Sequence, residues 1–386
     1  MFTLIRGGQV YSPAEVGRRD ILIAANKIAK MDRRIDLPRS FGAEVVEAEV
    51  KIITPGFIDL HVHIIGGGGE GGPATRVPEI QLSRIIRAGV TTVLGVLGTD
   101  DASRHPESLL AKAIGLEQEG ITTYIMVGSY QFPQATITGS VRKDIALIPK
   151  VIGVGEIAIS DHRSSQPTFE DLAKVAAEAR VGGMLGGKPG LVQLHVGEGV
   201  KGLEYLFRMA QETEIPIEQF LPTHVARSPA VLEHAIRFAK MGGNVDITAS
   251  GRRLARKVGV GEALRQLSSA QVPVERITLS SDANGSMPVF DKKGSLIRLT
   301  VADIQNLYEE FRYLITEEGF PVADILQCIT LNPAKRIKID GFKGSLEEGK
   351  DADLIVFDSD WGIDRVYSLG KLVVSQGKPV VKGTFE

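Results

Sequence analysis

The chain has 386 residues, 43% hydrophobic and 24% charged, which excludes a disordered or collagen-like protein and favours two domains or one large barrel with an attachment. Its 45 basic and 47 acidic residues leave a net charge of −2. The chain therefore lacks the excess of basic residues that would indicate a nucleic-acid partner. The chain has a single cysteine, Cys328, so it cannot form an internal disulfide. The sequence also has no signal-peptide pattern and no apolar run of roughly 18 residues. We therefore predict a soluble, cytoplasmic protein without a membrane partner.

Both ends of the chain are rich in predicted β-structure. Short apolar or alternating runs, separated by Gly, Pro and Asn turns, lie at 3–5, 20–23 and 27–31, and again at 352–357, 366–367 and 371–374. Each end is too short to form a stable core of its own. We therefore predict that residues 1–53 and 344–386 pair into one small β-sandwich.

The central part of the chain, 54–343, alternates strand-like and helix-like segments. The predicted strands cover 56–60, 90–94, 122–127, 151–157, 191–195, 220–224, 244–247 and 277–280. Amphipathic segments with a helical period cover 79–87, 107–119, 168–179 and 229–240. Eight such units over about 285 residues predict an α/β protein with a (β/α)8 barrel of the usual size.

Active sites of such barrels lie at the C-terminal ends of the strands, so the polar residues there are the candidates for chemistry. Four of the seven histidines fall at these ends, together with two acids: His61, His63, Glu156, His195, His224 and Asp282. His61 and His63 are two residues apart on one strand, so their side chains share a face. The set suits two divalent ions, with zinc the default metal for this ligand mix.

Each of these residues also has a simpler interpretation when taken alone. A single histidine at a strand end is more often packed or capping than a metal ligand. Glu156 could be a solvated loop acid, and Asp282 could cap a helix. The ordered set across five strands favours the metal site, because a buried acid such as Glu156 needs a positive partner.

The whole chain resembles the amidohydrolase superfamily. The resemblance is carried by the strand-end pattern and by the runs TPGFIDLHVH at 54–63, LNPA at 331–334, GSL at 344–346 and DADL at 351–354. A closer resemblance is to isoaspartyl dipeptidases, which cleave peptides joined through an aspartate side chain. It rests on the segments 66–70, 97–100, 128–130, 159–164, 222–227 and 282–286.

The resemblance to isoaspartyl dipeptidases implies roles for several residues. Glu70 would hold the substrate ammonium group, and Tyr130 would hydrogen-bond the carbonyl under attack. The substrate carboxylates and flanking backbone would be bound by Thr99, Arg163, Arg227 and Ser286. Taken alone, the arginines could form surface salt bridges, Glu70 could be solvated, and Tyr130 could serve packing. Together they favour a small zwitterionic dipeptide with an extra carboxylate.

One position departs from the family pattern. Well-known members carry a carbamylated lysine that bridges two metals where this chain has Glu156. A carboxylate can bridge with two oxygens and the same charge, so we expect two zinc ions bridged by Glu156 and by hydroxide. The hydroxide would attack the amide, and Asp282 would pass its proton to the departing amine.

Other functions stay open at this stage. A dihydroorotase-like or hydantoinase-like cyclic amidase, or an N-acyl-amino-acid deacylase, would need the same metal ligands but not Glu70 as an ammonium partner. A metal-free scaffold with the same fold is the non-enzyme alternative. The resemblance also implies a homo-oligomer, with an octamer as one assembly.

Overall fold

The computed structural model describes residues 2–249, 257–290 and 296–386. The central strands of the described chain follow one another in the predicted order. They are β6 (Phe57–Val62), β7 (Val90–Gly95), β8 (Thr122–Val127), β9 (Val151–Ile159), β10 (Leu191–Val196), β11 (Phe220–Thr223), β12 (Val245–Thr248) and β13 (Ile277–Ser280), after five N-terminal strands given below. All eight predicted barrel strands are therefore present.

The eight strands close on one another as a parallel barrel. Strands β6 to β11 form one hydrogen-bonded sheet in chain order, and β12 pairs with β13. The amide of Val225 donates to Asp246 O (3.3 Å) between β11 and β12, and the amide of His63 donates to Ala283 O (2.8 Å) after β6 and β13. The predicted (β/α)8 fold class is confirmed.

Helices cover the barrel. They are α1 (Leu82–Arg87), α2 (Pro106–Glu119), α3 (Val141–Leu147), α4 (Phe169–Gly186), α5 (Glu204–Glu212), α6 (Pro229–Lys240), α7 (Val260–Ser269), α8 (Gln305–Thr316), α9 (Val322–Ile329) and α10 (Leu331–Arg336). None of the helices among the described residues has the length and apolar composition needed to cross a membrane.

Two helices differ from their predicted bounds for physical reasons. Helix α1 begins at Leu82 instead of residue 79, because the extended segment before it is tied down by the buried Ile80, whose amide donates to Ile64 O (3.1 Å). Helix α4 continues beyond residue 179 through a glycine pair that usually signals a helix end. A Cβ on Gly183 would lie 2.6 Å from the amide of Gly190, so close packing requires glycine there.

The two chain ends pair with each other in one nine-stranded sheet, where the sequence predicted that they would pair into a small β-sandwich. Its strands are β1 (Phe2–Tyr11), β2 (Glu15–Ala24), β3 (Lys27–Asp32), β4 (Glu44–Glu47) and β5 (Ile52–Pro55), with β16 (Leu354–Phe357), β17 (Ile363–Ser368), β18 (Lys371–Ser375) and β19 (Lys378–Pro379). Strand β16 pairs antiparallel with β5, with Ile355 opposite Thr54. Apolar side chains from both ends, including Ile21 and Val356, share one core.

The remaining two strands of the described residues pair with each other. Strands β14 (Ser286–Phe290) and β15 (Leu296–Val301) are antiparallel and follow the last barrel strand. Only Gly56 separates β5 of the terminal sheet from β6 of the barrel. The domain boundaries at 53/54 and 343/344 remain a prediction from the sequence.

Candidate active site

The six predicted metal ligands lie at one end of the barrel. His61 is in β6 with His63 just after it, and His195 is in β10. His224 directly follows β11, and Asp282 comes two residues after β13. Because these strands are parallel, their carboxyl ends lie at the same end of the barrel and bring the side chains together.

Glu156 reaches the same point from within a strand. We expected β9 to end at Glu156, but it continues to Ile159. The register of β9 against β10 shifts here, so that Gly155 and Glu156 together oppose Gln193. Such a bulge re-aims a side chain without ending the strand. Gly155 has φ 144°, and a Cβ there would lie 2.6 Å from Gln193 O, so the bulge requires glycine.

The carboxylate of Glu156 lies between two pairs of imidazoles. Its Oε1 is 3.1 Å from His61 Nε2 and 3.5 Å from His63 Nε2. Its Oε2 is 3.3 Å from His195 Nδ1 and 3.6 Å from His224 Nε2. The two oxygens therefore face two different groups of ligands, as a bridging carboxylate would.

Asp282 completes the first of these groups. Its Oδ1 lies 3.1 Å from His63 Nε2 and 3.5 Å from His61 Nε2. Three sets of donor atoms that could hold an ion follow from these positions, and in each set all the atoms lie within 4.8 Å of one another. The sets are His61 with His63 and Glu156, His61 with His224 and Asp282, and Glu156 with His195 and His224.

The buried polar atoms of this centre fit a bound cation. Glu156 and His61 are fully buried, and both carboxylate oxygens of Glu156 and Nε2 of His61 lack a hydrogen-bond partner. Buried polar atoms without hydrogen bonds are costly, and a divalent ion between these atoms would satisfy them. The donor set of imidazoles and carboxylates is the kind that zinc accepts.

The acids and histidines of the centre shift one another's pKa values. Burial alone would lower the pKa of His61, but Glu156 and Asp282 raise that pKa to about 10. Burial would raise the pKa of Glu156, yet the histidines around it, first of all His61, hold it well below its usual value.

The outer nitrogens of two of the predicted ligand histidines, His195 and His224, have polar partners. His224 Nδ1 lies 2.7 Å from Thr248 Oγ1, which leaves Nε2 directed at the centre. His195 has the opposite orientation: Nδ1 faces the centre, and Nε2 lies 3.0 Å from Asp161 Oδ2. Such outer partners fix the ring orientation and tautomer of a metal ligand.

Tyr130 lies beside the centre. Its hydroxyl is 2.6 Å from His195 Nδ1, and the Arg163 guanidinium carbon is 5.3 Å from the centre of its ring. Burial and the nearby Glu156 raise the pKa of Tyr130 well above its usual value. The phenol therefore stays neutral and can donate a hydrogen bond at the mouth of the barrel.

Three of the other predicted substrate-binding residues contact Glu70. Its Oε1 accepts from Thr99 Oγ1 (3.0 Å) and Arg163 Nη1 (3.3 Å), and its Oε2 accepts from Ser286 Oγ (3.0 Å). Burial would raise the pKa of Glu70, but these donors lower it on balance. Arg227 lies on the other side, with Nη1 3.0 Å from His195 Nε2. The predicted substrate-binding residues thus lie around the same end of the barrel as the predicted metal ligands.

Two polar residues of the site were not predicted. Asp161 contacts His195, Arg163 and Arg227, and its only sequence signal was its place in the 159–164 segment. Arg104 is 4% exposed and donates to the carbonyls of residues 65, 67, 68 and 77. It thereby supports the glycine-rich loop that carries Glu70, and nothing in the sequence indicated this role.

The glycine-rich loop has a backbone that other residues rarely adopt. Gly66, Gly68 and Gly69 have φ values of 79°, 75° and 107°. A Cβ on Gly66 would lie 1.9 Å from Val77 O. Glycine at these positions lets the loop fold against 75–77 and turn Glu70 toward the barrel axis.

The sequence profile of the amidohydrolase family matches residues 52–385, which cover the barrel and the C-terminal strands β16 to β19. The chain belongs to the amidohydrolase family. The resemblance predicted from the sequence motifs is confirmed at this level, and with it a hydrolase activity.

Individual proteins differ in how similar they are to this amidohydrolase. It is 42% identical to a beta-aspartyl dipeptidase from Fervidobacterium islandicum AW-1, solved with a beta-Asp-Leu dipeptide, with a TM-score of 0.91 and 98% of both chains covered. It is 23% identical to the imidazolonepropionase of Colwellia psychrerythraea, over 95% of this chain and 91% of that protein. The dihydropyrimidinase of Brevibacillus agri, 15% identical with a TM-score of 0.69 over 99% and 97% of the two chains, shares the fold.

Proposed function

We propose that this amidohydrolase is a zinc-dependent dipeptidase that hydrolyses β-aspartyl (isoaspartyl) dipeptides. The observation that carries the proposal is the chain of contacts from Glu70 through Arg163 and His195 to Glu156. These contacts bring together Glu70, which could bind an ammonium group, Arg163, which could bind a carboxylate, and the candidate metal centre at one end of the barrel. The beta-aspartyl dipeptidase of Fervidobacterium islandicum AW-1, solved with beta-Asp-Leu, supports the same substrate class.

The charges at the mouth match those of the substrate. A β-aspartyl dipeptide carries one ammonium and two carboxylates. Glu70 would bind the ammonium, with Thr99 and Ser286 holding Glu70 in place. Arg163 and Arg227 would each bind a carboxylate, because a guanidinium can donate two parallel hydrogen bonds to it.

Two ions, held by His61, His63, Glu156, His195, His224 and Asp282 with Glu156 between them, would lower the pKa of a water molecule toward neutrality and polarise the amide carbonyl. The protein groups do the rest. Tyr130 would donate its hydroxyl hydrogen to the carbonyl oxygen as negative charge develops there. Asp282 would take the proton from the attacking water and deliver it to the nitrogen of the leaving amine, so that the amide C–N bond breaks with a neutral amine departing.

Cellular location is proposed from the cysteine content of the chain, and assembly from the family resemblance. We propose a cytoplasmic enzyme, since Cys328 is the one cysteine of the chain and it is buried and unpaired. We also propose a homo-oligomer, with an octamer as one form, from the resemblance alone. Sedimentation of the purified protein would measure this assembly.

The function is tested by comparing substrates. We expect hydrolysis of β-Asp-Leu and little hydrolysis of α-Asp-Leu, dihydroorotate, hydantoin or N-acetyl amino acids. The variant Glu70→Gln should lose kcat/KM for β-Asp-Leu, and this loss should shrink for N-acetyl-β-Asp-Leu, which has no ammonium. Turnover of the cyclic amides alone would contradict the proposal and support a dihydroorotase-like or hydantoinase-like enzyme.

Metal content tests the cofactor and the non-enzyme alternative together. Protein purified without chelators should contain two zinc ions per chain and lose activity after chelation, with activity restored by added zinc. A content far below one ion per chain, with no activity regained, would instead support a metal-free scaffold.

A further inference from the structure

We infer that Asp161 is a positioning residue that sets the tautomer of His195, and so makes His195 Nδ1 available to a metal ion. This inference rests on the proposed metal centre. Asp161 lies outside the six ligands and the proposed substrate contacts. Its carboxylate contacts His195 and both arginines.

The position of the Asp161 carboxylate is strongly constrained. Its Oδ1 accepts from the amide of Arg163 (2.9 Å) and from Arg163 Nε (3.0 Å). Its Oδ2 accepts from Arg163 Nη2 (2.9 Å) and lies 3.0 Å from His195 Nε2 and 3.5 Å from Arg227 Nη1. The side chain is 6% exposed. A fixed, charged acceptor therefore faces the outer nitrogen of His195.

Two arginines compete with Asp161 for a hydrogen bond with His195 Nε2. Arg163 Nη2 lies 3.1 Å and Arg227 Nη1 lies 3.0 Å from His195 Nε2. A guanidinium is always protonated and can only donate. If Nε2 carried no hydrogen it would accept from an arginine, and Nδ1 would then carry the hydrogen.

That second tautomer is incompatible with metal binding through Nδ1. Its Nδ1–H would point at Glu156 Oε2, 3.3 Å away, or at the Tyr130 hydroxyl, 2.6 Å away. A neutral imidazole binds a metal only through its unprotonated nitrogen. Asp161 favours the competent form because it accepts a hydrogen bond from Nε2–H, which the arginines cannot do.

The other ligand histidine in this group does not depend on a carboxylate. His224 Nδ1 lies against Thr248 Oγ1, and a hydroxyl can either donate or accept. The structure therefore points to His195 as the ligand whose tautomer must be set by an outer charge. Loss of that charge should weaken the ion between Glu156, His195 and His224, and leave the ion at His61 and His63.

Titration of the metal-free protein with Co²⁺ tests this directly. The wild-type protein should bind two ions. Asp161→Asn, which keeps the shape of the side chain, should bind one ion as before and the other about 10–100-fold more weakly. Asp161→Glu should recover part of the loss, since it keeps the carboxylate. The matched control Asp100→Asn removes an acid paired with Arg104, away from His195, and should bind both ions normally.

Equal affinity of Asp161→Asn and wild type for both ions would overturn the inference while leaving the proposed function intact. A wild-type protein that binds no Co²⁺ would overturn both. A second measurement needs no variant of Asp161: in ¹⁵N-histidine spectra of the zinc-loaded wild type, assigned with His195→Gln, His195 should be protonated at Nε2 and not at Nδ1. A proton on Nδ1 would equally overturn the inference.

Discussion

Glu156 lies where one side chain could serve both proposed groups of metal ligands. Each of its oxygens faces a different pair of imidazoles, and the side chain is fully buried. The family resemblance places a carbamylated lysine here, a longer group with the same charge and the same two oxygens. Glutamate reaches the centre because the bulge in β9 turns it inward.

A change at Glu156 should therefore change metal content. Glu156→Ala removes the one group that both ion sites share, so we expect the metal content to fall from two ions per chain toward one or none, measured by elemental analysis. Glu156→Lys, incubated with bicarbonate, should regain metal if a carbamate can form in its place. Unchanged stoichiometry in the alanine variant would show that Glu156 is not a bridge.

Asp282 can be tested without disturbing its backbone. It has φ 55°, a conformation that asparagine also tolerates, so Asp282→Asn should fold normally. Loss of its proton transfer should lower kcat for β-Asp-Leu by about 10²–10⁴-fold. Near-normal kcat, with folding verified by circular dichroism, would remove Asp282 as the proton carrier.

At the scale of elements, helix α4 depends on its first turn. Thr168 Oγ1 accepts from the amide of Asp171 (3.1 Å), and the amide of Thr168 donates to Asp171 Oδ2 (3.0 Å). This reciprocal pair satisfies two amides that a helix start otherwise leaves free. The helix packs closely against the strand end at Gly190, so its start helps to fix how it lies on the barrel.

Removing this cap should destabilise the fold. Thr168→Ala should lower the free energy of unfolding by about 1 kcal/mol, measured by denaturant titration. Thr168→Ser keeps the hydroxyl and should cost much less. An equal loss in both variants would mean that packing of the threonine methyl group, and not the hydrogen bond, is responsible.

At the scale of the whole molecule, a buried charge cluster holds the region between the barrel and the terminal sheet together. Lys343, with 2% of its side chain exposed, pairs with Asp353 and with Asp351 (3.0 Å). Asp351 also pairs with Lys27 of β3 (2.7 Å), and Asp353 accepts from the amide of Leu369 (2.6 Å). The cluster thus joins segments more than 300 residues apart in the chain.

Lys343→Met should leave two acids without their buried partner and cost about 3–5 kcal/mol of unfolding free energy. Lys27→Met is the control: Lys27 pairs with the same Asp351, but 43% of its side chain is exposed, so the cost should stay below about 1 kcal/mol. Similar losses in both variants would show that burial does not set the strength of the cluster.

The difference in unfolding free energy between wild type and Lys343→Met should also depend on pH. Burial alone would lower the pKa of Lys343, but Asp353 and Asp351 raise it above 10.5 on balance. A pKa raised by folding stabilises the protein fully below the unfolded value and loses that contribution as the pH rises through the folded value. The gap between wild type and Lys343→Met should therefore narrow above about pH 10.5.

The sequence by itself determined the barrel, the pairing of the chain ends and the candidate ligands, because these depend on period and strand order. His61 and His63 share a face by their spacing, and the carboxyl ends of parallel strands must meet. Only the tertiary structure decided the contacts of Asp161 and Arg104 and the bulge at Glu156. Their contacts join loops from different strands, and side-chain distances across such loops depend on how the strands pack together in space.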